Sequence, residues 1–80
     1  MIKNEAEQLL NENLSLIGER WKNNSTGKVE TIIDLRIVEL RRFIDGWEVL
    51  VVFIPESEGI ILNTREYLIE SFFKDFTRMG

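Results

Sequence analysis

Hydrophobic residues near the start of the chain recur at the spacing of one helical face. They are Ala6, Leu10, Leu14, Ile17 and Trp21. Acidic residues lie early in this segment and basic residues lie late, which is the order that a helix dipole favours. The turn-forming run at 23–27, Asn-Asn-Ser-Thr-Gly, then interrupts the pattern. The sequence therefore predicts an amphipathic helix from Ile2 to about Lys22.

Two segments rich in β-branched residues flank Asp45-Gly46, a dipeptide typical of a tight hairpin turn. A helical stripe also fits part of the first segment, but a helix explains no matching between the two. Pairing across a two-residue turn places Ile44 opposite Trp47, Arg42 opposite Val49, Leu40 opposite Val51 and Val38 opposite Phe53. Nearly all of these pairs are apolar, so the pattern predicts two strands that share one apolar face.

The alternation of apolar residues changes phase within the first of these strands. Ile37 and Val38 are adjacent apolar residues that belong to different phases. A β-bulge near this pair would return both halves of the strand to one side of the sheet. Two separate strands, or one strand covered in part on each face, are the alternatives.

The last quarter of the chain predicts a second amphipathic helix. Pro55 ends the preceding strand, and the run 60–62 is a candidate third strand. Asn63 and Thr64 are good helix caps, so we expect a helix from about Arg65 to Arg78. Its apolar face comprises Leu68, Ile69, Phe72, Phe73, Phe76 and Met79.

These elements predict a single α+β domain over residues 1–80. It is an antiparallel β-hairpin or three-stranded meander with an N-terminal and a C-terminal amphipathic helix, in the order α-β-β-(β)-α. The expected core joins the strands to both helices through Val38, Leu40, Val51, Phe53, Leu10, Leu14, Phe72 and Phe76. The two helices cover either one face of the sheet or both.

The second strand carries more hydrophobic side chains than one core face can use. In the predicted register Leu50, Val52 and Ile54 point away from the core face, as does Phe43. Trp47 packs beside the turn or anchors a partner, since tryptophan is enriched at interface hot spots. These five residues form the candidate partner-binding surface, occupied by a second copy of the chain or by another protein.

Composition removes most catalytic chemistry from consideration. The 80 residues include no cysteine and no histidine, so the usual nucleophile–base pairs and zinc ligand sets are absent. We expect neither enzymatic activity nor a bound cofactor, metal or small-molecule substrate. The lack of cysteine and of a long apolar stretch favours a cytoplasmic protein without membrane association.

Charge supports a second hypothesis. The formal net charge is −4, yet residues 20–42 hold six basic and three acidic side chains. Arg36, Arg41 and Arg42 with the strand aromatics are candidates for nucleic-acid binding, and the acidic total instead suits a nucleic-acid mimic. The leading hypothesis is a non-enzymatic protein-binding module, such as a small regulator, inhibitor, immunity-type protein or accessory subunit. We expect it to form a homodimer or one half of a complex.

Overall fold

Two α-helices and five strands follow one another in the computed structural model, which describes residues 1–40, 46–55 and 64–79. They are α1 (Lys3–Glu12), β1 (Arg20–Asn23), β2 (Val29–Glu39), β3 (Trp47–Pro55), β4 (Arg65–Leu68), α2 (Ile69–Asp75) and β5 (Phe76–Arg78), with a 3-10 turn at Leu14–Leu16 after α1. The strands form one antiparallel sheet in the order β4-β3-β2-β1-β5. The predicted α+β class is confirmed, and the sheet is larger than the predicted meander.

The first helix is shorter than its hydrophobic stripe predicted. It ends at Glu12, where the Asn13 side-chain amide donates to the Leu9 carbonyl. Gly18 has a φ of 92°, a left-handed conformation that stops any helical continuation. Trp21, expected on the helix, instead lies buried on β1, where alternate side chains point into the core.

The turn-forming run after Trp21 closes a hairpin rather than capping a helix. Asn23 accepts a hydrogen bond from the Ser25 backbone N–H through its side chain and from the Gly27 N–H through its carbonyl. Gly27 has a φ of 74°, which a residue without a Cβ adopts at little cost. The turn therefore returns the chain from β1 into β2.

β2 and β3 form the predicted hairpin, but in a different register. Glu39 lies opposite Trp47, and Ile37 opposite Val49, whereas the predicted two-residue turn required Ile44 opposite Trp47. Residues 41–45, including that turn and its partners Ile44 and Arg42, lie outside the described residues.

The observed register exchanges the two faces of β2. Leu35 and Ile37 share the core face with Val49 and Val51, while Val38 points away from it. Without the bulge expected at Ile37 and Val38, the predicted register would turn Asp34 and Arg36 under the helices, and burying unpaired charges is costly. Leu40, also predicted as core, is 39% exposed.

A bulge corrects the phase of β2, as expected, but at a different position. The pairing with β3 shifts between Ile32 and Asp34, so Ile33 is the extra residue. Ile32 is almost fully buried, and Ile33 is 38% exposed. The bulge keeps Ile32 and Leu35 on the same face, which their separation of three residues would otherwise prevent.

The predicted C-terminal helix divides into a strand, a short helix and another strand. Arg65–Leu68 pairs with β3, and Phe76–Arg78 pairs with β1, so only Ile69–Asp75 remains helical. The predicted caps are wrong because Leu68 is the N-cap residue; Asn63 and the candidate strand at 60–62 lie outside the described residues.

An aromatic cluster fills the space between the sheet and α2. The Phe72 and Phe76 rings stack with centroids 4.3 Å apart, and Phe53 contacts both at 5.7 and 5.2 Å. Trp21 and Tyr67 extend the cluster towards opposite edges of the sheet. Val51, Phe53, Phe72 and Phe76 confirm the predicted core, whereas Leu14 is 47% exposed and Leu10 is only partly buried.

Both helices pack on the same face of the sheet. Ala6 of α1 and Ile69 and Phe72 of α2 belong to one buried cluster with Val49 and Val51 of β3. This settles the alternative that the sequence left open and defines a core face and an outer face.

Neighbouring phenylalanines of α2 test the importance of this cluster. Phe72 is fully buried and Phe73 is 43% exposed. Phe72→Ala should lower the free energy of unfolding by about 3–5 kcal/mol. Phe73→Ala should cost less than about 1.5 kcal/mol, since it loses mainly a ring contact with Trp21. Urea denaturation followed by circular dichroism measures both, and equal losses would contradict the described packing.

Candidate functional site: the outer sheet face and the free edge of β2

The outer face is the side of the sheet that faces away from α1 and α2. Strand register places eleven side chains of β2, β3 and β4 on it: Val29, Thr31, Asp34, Arg36, Val38, Glu48, Leu50, Val52, Ile54, Glu66 and Leu68. Its centre is apolar and charged side chains lie among and around the apolar ones. No helix of the described ranges packs on this side.

An ion pair crosses the middle of the outer face. Arg36 lies on β2 opposite Leu50, Glu66 lies on β4 opposite Val52, and the guanidinium contacts the carboxylate. The strands that carry them are separated by β3, a span of about 10 Å at ordinary strand spacing. The two side chains must therefore pass over the outer surface of β3 to meet.

This ion pair lies over Val52, which the sequence predicts to be part of an exposed partner-binding surface. Val52 is only 6% exposed although it belongs to the outer face. The aliphatic stem of an arginine covers apolar surface while its charged end stays in water, so Arg36 accounts for this burial. Leu50 and Ile54 remain partly exposed, and Leu68 is 38% exposed.

The other predicted partner-binding residues lie elsewhere. Trp47 is on the core face, partly buried, with the Lys3 ammonium 5.3 Å from its ring centroid. The Trp47 backbone N–H donates to the Met1 carbonyl at 2.9 Å, and the Met1 ammonium lies 4.0 Å from Glu48. Trp47 thus anchors the start of the chain, while Phe43 lies outside the described residues.

The three candidate nucleic-acid-binding arginines are not assembled by the described residues. Arg36 is engaged with Glu66 on the outer face. Arg41 and Arg42 fall in the range 41–45, which the structure does not describe.

β2 continues beyond β1 and leaves part of its backbone edge without a neighbouring strand. β1 pairs with β2 only as far as Thr31, and Gly18 and Glu19 add hydrogen bonds to Ile32. Across the rest of the described chain, no strand pairs with the later residues of β2 on this side.

Hydrogen bonds at both ends of this stretch show which groups point outward. The Leu40 N–H donates to the Gly46 carbonyl. The backbone N–H and C=O groups of Leu40 and of alternate residues before it therefore point towards β3. Leu35 N–H instead donates to the Asp34 carboxylate at 2.9 Å, as expected for a group directed away from β3. The backbone groups of Leu35, Ile37 and Glu39 therefore point outward, and we call them the free edge.

Exposed hydrophobic residues surround the beginning of the free edge. Leu14 and Ile17 are 47% and 43% exposed, and Ile33 is 38% exposed. The hydrogen bond from Gly18 N–H to the Ile32 carbonyl brings the segment that carries Leu14 and Ile17 next to the bulge. The hydrophobic pattern of the sequence did not indicate this corner, because it places Leu14 and Ile17 on a buried helical face.

The described residues offer little for metal binding or acid–base chemistry. Among them, no three His, Cys, Asp or Glu side chains are placed to hold a metal ion. Glu30 is the one buried acidic residue in those ranges, and its carboxylate lies 3.9 Å from the half-exposed Arg65 guanidinium. This pair links β2 to the start of β4.

Comparison with known proteins supplies no assignment. No family model, curated protein or solved structure gives a significant match to this chain. Within the described ranges, no helix has the length and apolar character needed to cross a membrane.

Substitutions of Arg36 separate its charge from its apolar stem. Arg36→Met removes the ion pair but keeps a chain that covers Val52, so it should cost at most about 1 kcal/mol. Arg36→Ala also uncovers Val52 and should cost roughly a further 1 kcal/mol. Chemical denaturation measures both variants, and identical stabilities would show that the stem does not cover Val52.

Proposed function

We propose that this protein is a non-enzymatic protein-binding module whose outer face receives another protein. The observation that supports the proposal most directly is the placement of both helices on the core face. The opposite side of the sheet is left with Leu50 and Ile54 of β3 and Leu68 of β4 partly exposed. Single exposed hydrophobic residues are ordinary, but a contiguous apolar sheet surface is typical of an interaction site.

The charges of the outer face indicate the chemistry of its partner. Glu48 lies near the end where the β2–β3 hairpin closes, Asp34 lies near the middle of β2, and Lys22 of β1 lies beside Val29 towards the other end. A complementary surface has an apolar centre, basic groups opposite Glu48 and Asp34 and an acidic group opposite Lys22. Such an arrangement fixes orientation and speeds encounter more than it raises affinity.

A centre of this composition also suits a protein better than a nucleic acid. Phosphate backbones require several available cations, and much of nucleic-acid affinity comes from neutralising phosphates. On the outer face Arg36 is already matched by Glu66. An apolar strip crossed by a neutralised ion pair is better matched by apolar protein side chains with a few polar partners.

Affinity capture from the source cells tests the proposal with two matched variants. Leu68→Arg places a charge on the outer face, and Ser71→Arg places the same charge on an exposed position of α2. Wild-type protein and Ser71→Arg should retain the same protein in saturable amounts. Leu68→Arg should lose at least tenfold in affinity, since burying an unpaired charge costs more than about 1.4 kcal/mol.

Circular dichroism of the two variants provides the control for folding. Equal retention by the two variants would show that the outer face is not the binding surface. Recovery of nuclease-sensitive DNA or RNA in place of a protein, with retention that falls steeply as salt increases, would overturn the proposal in favour of nucleic-acid binding.

A further inference from the structure

We propose that the free edge pairs with the free edge of a second copy, giving a symmetric dimer with one continuous antiparallel sheet. Unpaired strand edges present rows of N–H and C=O groups and are natural sites for strand addition. The free edge consists of the outward backbone groups of Leu35, Ile37 and Glu39. These lie on the regular part of β2 beyond the bulge at Ile33.

The symmetry of the free edge indicates that the strand pairing with it comes from a second copy of the chain. In a two-fold antiparallel pair, a residue on the axis faces its own copy. An axis at Ile37 pairs Ile37 with itself and Leu35 with Glu39 of the second copy. All of these residues direct their backbone groups outward, so each N–H meets a carbonyl. The free edge is therefore its own hydrogen-bonding complement.

The side chains are compatible with the same register. Glu39 faces Leu35 of the second copy, and Arg36 faces its Val38, so no two like charges are directly opposed. An axis at Arg36 would oppose two arginines in a non-hydrogen-bonded pair, and it would leave Glu39 without an outward-facing partner on the regular part of β2. An axis at Leu35 would require the bulge residue Ile33 to join the ladder. Among these registers, only the axis at Ile37 pairs the backbone groups of all three outward residues and places no two like charges opposite each other.

In a single copy, the outward Leu35 N–H finds a hydrogen-bond acceptor within its own chain. Its hydrogen bond to the Asp34 carboxylate occupies a donor that would otherwise face water. In the dimer this donor turns to the Glu39 carbonyl of the second copy, and Asp34, which is exposed, returns to solvent. Because only a short stretch of each chain pairs, the buried area is small and the dimer is expected to be weak.

Assembly also enlarges the surface assigned to partner binding. A two-fold axis perpendicular to the sheet keeps the outer faces of both copies on the same side. The dimer then displays two outer faces next to each other on one sheet, and a two-fold partner would bind both. The pairing itself uses the free edge and leaves Leu50, Ile54 and Leu68 uncovered, so self-association and partner binding are tested independently.

Light scattering over a wide concentration range tests the dimer. The mean molar mass of the wild-type protein should rise from the monomer value of 9.4 kDa towards twice that value as concentration increases. The rise should persist at high salt, because no ion pair joins the copies. A constant monomer mass up to the highest soluble concentration would overturn the proposal.

Two substitutions at Glu39 separate backbone pairing from charge. Glu39→Pro removes an outward N–H and places a ring against the second copy, while its position leaves the hydrogen bonds to β3 intact. Glu39→Gln keeps the N–H and loses only the carboxylate. We expect Glu39→Pro to be monomeric wherever wild type and Glu39→Gln are dimeric. Equal association of all three would exclude the free edge as the interface.

Amide hydrogen exchange of the wild-type protein keeps the test decisive if Glu39→Pro does not fold. Exchange at Ile37 and Glu39 should slow by at least tenfold between dilute and concentrated samples, whereas Val38, which faces β3, should change little. A concentration-dependent mass without this change at Ile37 and Glu39 would place the interface elsewhere and overturn the proposal.

Discussion

The pairing of β2 with β3 is the constraint on which the remaining structure depends. It aligns Leu35 and Ile37 with Val49 and Val51, so one side of the two longest strands becomes continuously apolar. Burial of large aliphatic and aromatic side chains contributes about 1.5–3 kcal/mol each before the loss of conformational entropy is counted. A chain of 80 residues has few such contributions to spare, and both helices are therefore recruited to one face.

Placing both helices on one side determines what the opposite side can be. Val52 would be openly exposed there, but the Arg36–Glu66 pair passes over β3 and shields it. The same face then combines a covered centre with partly exposed Leu50, Ile54 and Leu68. The proposed partner would replace water around these remaining apolar groups.

The bulge at Ile33 links the core to the free edge. It keeps Ile32 and Leu35 on the core face, and it lies where β1 stops accompanying β2. Bulges increase local twist and often end strand pairing. Beyond the bulge, the Asp34 carboxylate accepts a hydrogen bond from the outward Leu35 N–H. This bond occupies one donor of the free edge, while the outward backbone groups of Ile37 and Glu39 are the ones that the proposed second copy would pair with.

The sequence by itself determined the α+β class, the strand character of the two central segments and the side of β3 that enters the core, because these depend on local alternation and on a turn dipeptide. It could not determine the register, because the apolar pattern fits more than one pairing of the two strands. Burial beneath the helices selects the pairing that places Leu35 and Ile37 opposite Val51 and Val49. The strands at Arg20–Asn23, Arg65–Leu68 and Phe76–Arg78 were assigned to helices by the same pattern. Only the tertiary structure decided these three strands, because short segments take the conformation that distant neighbours stabilise. Those neighbours are β2 and β5 for Arg20–Asn23, β3 for Arg65–Leu68 and β1 for Phe76–Arg78.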